Sequence, residues 1–103
     1  MDVAPASVDS VSHVRLSGQL VCKNDLEAQL VLEHLPEHVT LTLAEPGCLS
    51  FEVTRTADPL IWQVEERFED QVAFAAHQAR VAGSEWGRMT AGIERRYSIE
   101  GPC

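Results

Sequence analysis

The chain of 103 residues is short of basic side chains. It has 8 lysines and arginines against 16 aspartates and glutamates, which gives a formal net charge of −8 at pH 7. Such a surface repels the phosphates of nucleic acids and the headgroups of anionic membranes. The sequence also lacks any apolar run near the roughly 20 residues that a membrane span needs. We therefore expect neither a nucleic acid nor a membrane as a partner.

Cysteine and the common cofactor motifs are also scarce. Three cysteines, Cys22, Cys48 and Cys103, fit neither a disulfide framework nor a zinc site, so we expect reduced thiols in a cytoplasmic protein. The glycine-rich signatures of NAD and ATP sites and the nucleophile-elbow motif are absent from the sequence. Residues 1–10 are small and polar and predict an N-terminal arm rather than a signal peptide. Residues 11–103 predict one domain.

The periodicity of apolar residues predicts the order of the elements. Alternation with a period of two predicts strands at 11–22, 48–54, 60–68 and 93–99. Apolar spacings of three and four predict helices after Asn24 or Asp25 and after Asp70, with a short helical turn at 84–92. Pro36 falls inside the first helix, where we expect a kink or a break. The resulting β-α-β-β-α-β order predicts an α+β, ferredoxin-like fold with an antiparallel sheet.

In that fold both helices cover the same face of the sheet and leave the other face open. Two of the predicted strands carry apolar residues on both sides, as at Leu20 and Val21 and at Ile61 and Trp62. A domain of this size has little core of its own. We therefore expect a homodimer that forms through the open sheet face.

One short motif matches a zinc-protease signature. His34, Glu37 and His38 spell H-x-x-E-H. That chemistry needs both histidines on one face of a regular helix, together with a third protein ligand. Pro36 lies between the histidines, and the chain is too short for such a protease. We interpret the motif as a solvated helix face and predict no metal site.

Two polar residues fall on otherwise apolar faces. Glu66 shares a strand face with Trp62, Val64 and Phe68, and His77 lies in the apolar stripe of the second long helix. Glu66 could simply be paired with a neighbouring strand, and His77 could be a hydrogen-bonded core residue. If the helix packs over the strand, the two could instead form an acid–base pair in an apolar pocket. The candidate walls of that pocket, which could equally be plain core, are Phe51, Trp62, Phe74, Trp86 and Met89.

Four segments resemble the antibiotic biosynthesis monooxygenase family. They are EPGCLSFEV at 45–53, DP at 58–59, WQVEERFED at 62–70 and AFAAHQA at 73–79. The resemblance covers about residues 11–99. It implies a dimeric α+β barrel of two ferredoxin-like protomers, each with a cavity between sheet and helices. It also implies oxidation of phenolic or quinol-type aromatics by dioxygen without metal, flavin or haem, with Glu66 and His77 as the polar pair.

Three functions remain open at this point. The leading hypothesis is a cofactor-independent monooxygenase that acts on a small aromatic hydroxy compound or quinol, with Glu66 and His77 as catalytic residues. The sequence lacks the Asn–Trp–Tyr set of some aromatic-polyketide oxygenases, and its single tyrosine, Tyr97, lies on the last strand. The second hypothesis is a dimeric small-ligand-binding or stress-associated protein without turnover. The third is a haem-binding relative that uses His77.

Overall fold

The computed structural model describes residues 12–101, so the predicted arm at 1–10 and Cys103 lie outside the described residues. The elements follow the predicted order, and the short helical turn predicted at 84–92 forms a helix before the last strand. They are β1 (Val14–Val21), α1 (Asp25–Leu43), β2 (Cys48–Arg55), β3 (Ile61–Phe68), α2 (Gln71–Ala82), α3 (Glu85–Met89) and β4 (Glu94–Glu100). The β-α-β-β-α-β order and the ferredoxin-like α+β class are thereby confirmed.

The four strands form one antiparallel sheet in the order β2-β3-β1-β4. β2 and β3 form the hairpin, and β1 lies in the middle between β3 and β4. Gly18 is needed where β1 passes β4, because a Cβ atom there would lie 2.1 Å from the carbonyl oxygen of Arg96. The sheet therefore brings the first and last strands of the chain side by side.

A side chain just before each of the two long helices caps its first turn. The Asn24 side chain accepts a hydrogen bond from the Glu27 amide, and Asp70 accepts one from the Ala73 amide. Each cap satisfies a backbone donor that the first turn leaves without a partner. The predicted caps at Asn24 and Asp70 are confirmed.

Of the two outcomes expected at Pro36, a kink or a break, the break is wrong and the kink stays a prediction. α1 runs through this residue as a single helix from Asp25 to Leu43. Pro36 lies on the exposed side of α1, as does Leu32, which is 40% exposed. The Leu32 carbonyl, which loses its helical partner to the proline, can therefore be hydrated instead. Leu32 is thus not part of the buried stripe, which continues through Val31 and His38.

The core lies between the helices and the face of the sheet that they cover. β1 contributes Val14, Leu16 and Leu20, and β3 contributes alternate residues of the same face. The buried apolar cluster consists of Val14, Leu16, Leu20, Cys22, Val31, Trp62, Val64, Phe68, Phe74, Trp86 and Ile93. One carboxyl group, that of Glu66, lies among these strand residues with 6% of the residue exposed.

The opposite face of the sheet is open and mostly polar. Glu65 accepts hydrogen bonds there from Ser17 at 2.8 Å and from Gln63 at 3.0 Å. The paired residues Val21 and Ile61 are half-buried and supply apolar area at one end. The apolar residues of the open face are therefore confined to a small part of it.

Candidate active site

A cavity of about 400 Å³ lies between the covered face of the sheet and the helices. Most of the side chains around it are apolar, but a few polar groups from β3, α1, α2 and β4 reach it. Its lining consists of Leu16, Leu20, His38, Phe51, Val53, Val64, Glu66, His77, Gln78, Val81, Ala82, Trp86, Gly87, Ala91, Arg95 and Tyr97. The arrangement of few polar groups on apolar walls is typical of small-molecule sites.

Glu66 is the buried carboxyl group of this cavity. The alternation of β3 directs it to the helix side, and it pairs with Phe51 of β2 and Leu16 of β1. Its Oε1 atom is buried and has no hydrogen-bond partner among residues 12–101. Burial raises the pKa of Glu66 to about 7, with a further contribution from the nearby negative charge of Glu45. The group can therefore exchange a proton near neutral pH.

His77 lies next to Glu66, as the two apolar faces predicted. It is 3% exposed, and its Nε2 atom is 3.7 Å from Glu66 Oε1. Its Nδ1 atom is 2.8 Å from Oε1 of Glu45. Burial lowers the pKa of His77, while the hydrogen bond and charge of Glu45 act in the opposite direction. A mostly neutral imidazole therefore stands between two carboxyl groups.

Glu45 is a functional candidate that the sequence analysis did not identify. It lies in the turn between α1 and β2, and its second oxygen accepts a hydrogen bond from Nε of Arg80 on α2. Arg80 also donates from Nη2 to Thr42 Oγ1 at 3.0 Å. Glu45 lies outside the helices and strands predicted from the sequence, so nothing local pointed to a contact with α2.

His38 is the second residue that the sequence analysis missed, since it was assigned to a solvated helix face. That interpretation is wrong: His38 is 4% exposed and stacks on Trp86 with ring centroids 4.5 Å apart and an angle of 4°. Burial lowers its pKa to about 3, and Nδ1 has no hydrogen-bond partner in the part of the chain that the structure describes. The spacing of Val31, Leu35, His38 and Thr42 could have placed it on the buried stripe.

Two polar side chains of β4 complete the lining. Nη1 of Arg95 donates to the carbonyl oxygens of Thr90 at 2.7 Å and Ile93 at 3.0 Å, and Nη2 donates to Thr90 Oγ1 at 2.9 Å. Burial raises the pKa of Tyr97 to about 12, so its phenol stays protonated. β4 thus brings one fixed positive charge and one neutral hydroxyl group to the cavity.

The structure brings four of the seven candidate site residues to this cavity, namely Phe51, Glu66, His77 and Trp86. The other three lie outside the lining. Phe74 packs on Phe68 with ring centroids 5.6 Å apart, and Trp62 is buried with the Arg55 guanidinium 5.0 Å from its ring centre. Met89 is 42% exposed at the end of α3.

A larger depression of about 670 Å³ lies on the open face of the sheet. Charged and polar residues dominate its lining, which consists of His13, Arg15, Ser50, Glu65, Arg67, Glu100 and Gly101. It contains none of the strongly perturbed groups found on the covered face. We therefore take the smaller cavity, with Glu66 and His77, as the candidate active site.

Within residues 12–101, no group of three or more histidine, cysteine, aspartate or glutamate side chains could hold a metal ion. Over the same residues, no helix is long and apolar enough to cross a membrane. Of the two histidines in the H-x-x-E-H motif, His38 lines the cavity and stacks on Trp86.

Comparison with known families supports the resemblance. The sequence model of the family described as "Antibiotic biosynthesis monooxygenase" matches residues 25–86. The chain belongs to this family. The match includes Glu45, Glu66 and His77, and it ends at Trp86. A search of curated proteins by sequence gives no match.

Three solved structures share the fold of this chain. A candidate antibiotic biosynthesis monooxygenase from Nitrosomonas europaea has a TM-score of 0.74 at 21% identity, over 88% of this chain and 89% of its own. A variant of SnoaB, a cofactor-independent oxygenase from Streptomyces nogalater, has a TM-score of 0.72 at 10% identity, over 86% and 91%. A second candidate antibiotic biosynthesis monooxygenase, from Caulobacter crescentus, has a TM-score of 0.62 at 15% identity, over 97% and 98%. The TM-scores show that these proteins share the fold of this chain, and at such low identities they show the fold alone.

Proposed function

We propose that the protein is a cofactor-independent monooxygenase that oxidises a small aromatic hydroxy compound or quinol with dioxygen. The observation that carries the proposal is the buried, unpartnered carboxyl oxygen of Glu66, which lies 3.7 Å from His77 Nε2 in a mostly apolar cavity. Family membership and the description of SnoaB as a cofactor-independent oxygenase support it.

The cavity suits a planar, weakly acidic substrate. The parallel rings of His38 and Trp86 form one wall, and Phe51 stands edge-on to His38 with ring centroids 5.1 Å apart. Flat aromatic rings pack well against such walls. Arg95 contributes a positive charge that favours a substrate anion, and Tyr97 contributes a hydroxyl donor. The substrate class is thus an aromatic whose hydroxyl group can ionise.

Glu66 removes the hydroxyl proton in the first step. With a pKa of about 7, a substantial fraction of Glu66 is ionised at neutral pH and can accept a proton. The apolar walls exclude water from the resulting phenolate, whose electron density then favours reaction with dioxygen. One oxygen atom enters the ring as a carbonyl oxygen and the other leaves as water. The substrate supplies all four electrons as it is converted from a phenol to a quinone.

We propose in addition that two copies associate through the open sheet face as a homodimer. This face carries acidic and basic groups together, such as Arg15 and Glu65 at 3.4 Å, and the half-buried pair of Val21 and Ile61. A two-fold axis can pair such a self-complementary surface with itself. Sedimentation at micromolar concentration is expected to give twice the 11.4 kDa of the chain. A species of the chain mass alone would refute the dimer.

Oxygen uptake with a panel of phenols and quinols tests the reaction. We expect uptake with at least one compound, and a loss of about 10²-fold or more in kcat for Glu66→Gln combined with His77→Ala. Glu33→Gln is the matched control because it removes one exposed carboxylate on α1, away from the cavity. Unchanged turnover in the double variant would contradict the assigned mechanism, and no uptake with any compound would contradict the reaction class.

Ligand binding without turnover is the second candidate. The orphaned Nδ1 of His38 and Oε1 of Glu66 are polar groups that a bound ligand could satisfy without any reaction. A ligand that co-purifies with the protein and is identified by mass spectrometry, together with no oxygen uptake, would favour it. Haem ligation by His77 fits poorly, since carboxyl groups stand 2.8 Å from its Nδ1 and 3.7 Å from its Nε2.

A further inference from the structure

We propose that Glu45, held by Arg80, is a positioning residue that keeps His77 in the Nδ1–H tautomer and connects the Glu66 site to the protein surface. The inference rests on the proposed role of Glu66 as the base. It assigns the removal of the proton from the cavity to Glu45 and Arg80, which do not line the cavity, acting through His77, which does.

The first argument is the hydrogen-bond geometry of His77. The Glu45 carboxylate can only accept a hydrogen bond, and its Oε1 atom is 2.8 Å from His77 Nδ1. A neutral imidazole has one N–H, so that proton must lie on Nδ1. The lone pair of Nε2 is then directed towards the cavity side, where Oε1 of Glu66 lies 3.7 Å away. A proton on Glu66 thus has an acceptor next to it.

The second argument is the position of His77 between two openings. On one side it lines the candidate active site together with Glu66. On the other side it lines a separate depression of about 210 Å³, with Glu45, Pro46, Ala73, Ala76 and Arg80. The Glu45 side chain is 14% exposed, against 8% for that of Glu66. The three groups therefore connect the candidate active site to a second depression, where the Glu45 side chain is the more exposed of the two carboxyl groups.

Protons can follow this path without any additional reactant. Glu66 takes the substrate proton and transfers it to Nε2, which makes His77 an imidazolium between two carboxyl groups. The Nδ1 proton then passes to Glu45 and from there to water, which leaves His77 neutral with its remaining proton on Nε2. The Nδ1–H tautomer is restored through ring reorientation or solvent exchange. The conversion of a phenol to a quinone and water releases no net proton, so one proton returns from solvent as the second oxygen atom leaves as water. Arg80 keeps the acceptor in place through its hydrogen bond to Glu45 and its bond to Thr42.

Other charged groups also face His77 and contribute to its titration. His38 of α1 has its ring centroid 6.1 Å away, but it stays neutral because burial lowers its pKa to about 3. Arg80 lies one turn further along α2 and lowers the pKa of His77, whereas Glu45 raises it. Among these groups, Glu45 is the one in direct hydrogen-bond contact with the ring.

Replacement of Glu45 by glutamine reverses the tautomer. Arg80 only donates hydrogen bonds, so the amide oxygen of the new side chain turns to Arg80 and its NH₂ group faces Nδ1 of His77. Nδ1 must then accept, and the ring proton moves to Nε2, where it donates to Glu66. This bond stabilises the ionised form of Glu66, and the loss of the Glu45 charge acts in the same direction. The pKa of Glu66 is therefore expected to fall.

The experiment compares wild type, Glu45→Gln and the control Glu33→Gln by ¹⁵N NMR of the histidine rings and by pH profiles of turnover. We expect the Nδ1–H tautomer of His77 in wild type and in the control, and the Nε2–H tautomer in Glu45→Gln. We also expect Glu45→Gln to lower kcat by about 10²-fold, with KM within about twofold, and to move the acid limb of the profile to lower pH. A merely structural Glu45 would not move the tautomer or the acid limb.

Several outcomes overturn the proposal without affecting the proposed function. If the wild type oxidises a phenol and Glu45→Gln keeps both the tautomer and the pH profile, the connection through His77 is refuted while Glu66 can remain the base. If the wild type consumes no oxygen, the proposed function fails, and the tautomer by itself decides the positioning role. If Glu45→Gln does not fold, Arg80→Met replaces it in the experiment, because this variant removes the group that holds Glu45 in place. Arg80→Met is also expected to lower kcat. An unchanged kcat and an unchanged pH profile in this variant would refute the proposal.

Discussion

The buried carboxyl group of Glu66 makes stability depend on pH in a direction opposite to that of an ordinary carboxylate. Its pKa rises from 4.5 to about 7 because the ionised form is poorly solvated among the strand residues. The folded state therefore holds a proton that the unfolded state has released, and stability falls as pH rises from 4.5 through 7. The size of this loss is about 3 kcal/mol, from about 2.5 pKa units at 1.36 kcal/mol each.

The substitution Glu66→Gln isolates this effect. Glutamine has nearly the same shape, cannot ionise and can donate towards His77 Nε2, as the protonated acid can. Relative to wild type, the variant is expected to gain about 3 kcal/mol of unfolding free energy between pH 4 and pH 8. For a domain of this size that corresponds to a relative increase in Tm of roughly 12–24 °C. At pH 8 the buried carboxyl group thus lowers the free energy of unfolding of the wild type by a large part of the value typical of a domain.

Urea unfolding at fixed protein concentration, in steps of one pH unit from 4 to 8, measures this difference. Because the wild-type unfolding free energy is subtracted from that of the variant at each pH, the contributions of the other titrating groups mostly cancel. The control Glu33→Gln should follow the wild-type curve, since Glu33 is exposed. A difference between Glu66→Gln and wild type that stays constant within about 0.5 kcal/mol across this range would refute the reasoning, because Glu66 would then titrate as it does in the unfolded chain.

Three further substitutions test the packing of the molecule. His38→Phe keeps a ring stacked on Trp86 but removes the group that can be protonated. The pKa of His38 is lowered from 6.5 to about 3, so the wild type loses stability as pH falls below 6.5. In urea unfolding, the variant should therefore gain about 3 kcal/mol relative to wild type between pH 7 and pH 4. Gly18→Ala should cost about 1–3 kcal/mol by thermal unfolding, since its Cβ would meet the Arg96 carbonyl oxygen at 2.1 Å; an unaffected Tm would contradict the close approach of β1 and β4. Pro36→Ala should stabilise the protein by about 1–3 kcal/mol, because α1 regains a backbone hydrogen bond, and a loss of stability would show that the proline suits the helix.

The pairing of Glu66 with His77 could be predicted from sequence because each residue interrupts a regular apolar pattern. A strand repeats every two residues, and a helix every 3.6, so an acidic or imidazole side chain on an apolar face is visible without a structure. The same local signals identified the caps Asn24 and Asp70 and the four strands. The prediction of the aromatic walls was less accurate, because the pattern shows that Trp62 and Phe74 are buried but does not show which residues they contact.

The amino-acid sequence by itself determined the order of the elements, the covered face of the sheet and the presence of two buried ionisable groups, because these depend on residues close together in the chain. Only the tertiary structure decided that Glu45 contacts His77 and that His38 and Arg95 line the same cavity as Glu66 and His77. Those contacts connect a turn, a helix and the last strand over long separations, and hydrogen bonding and solvation depend on where the chain finally packs. The same packing sets the pKa of Glu66, since desolvation is a property of the assembled cavity.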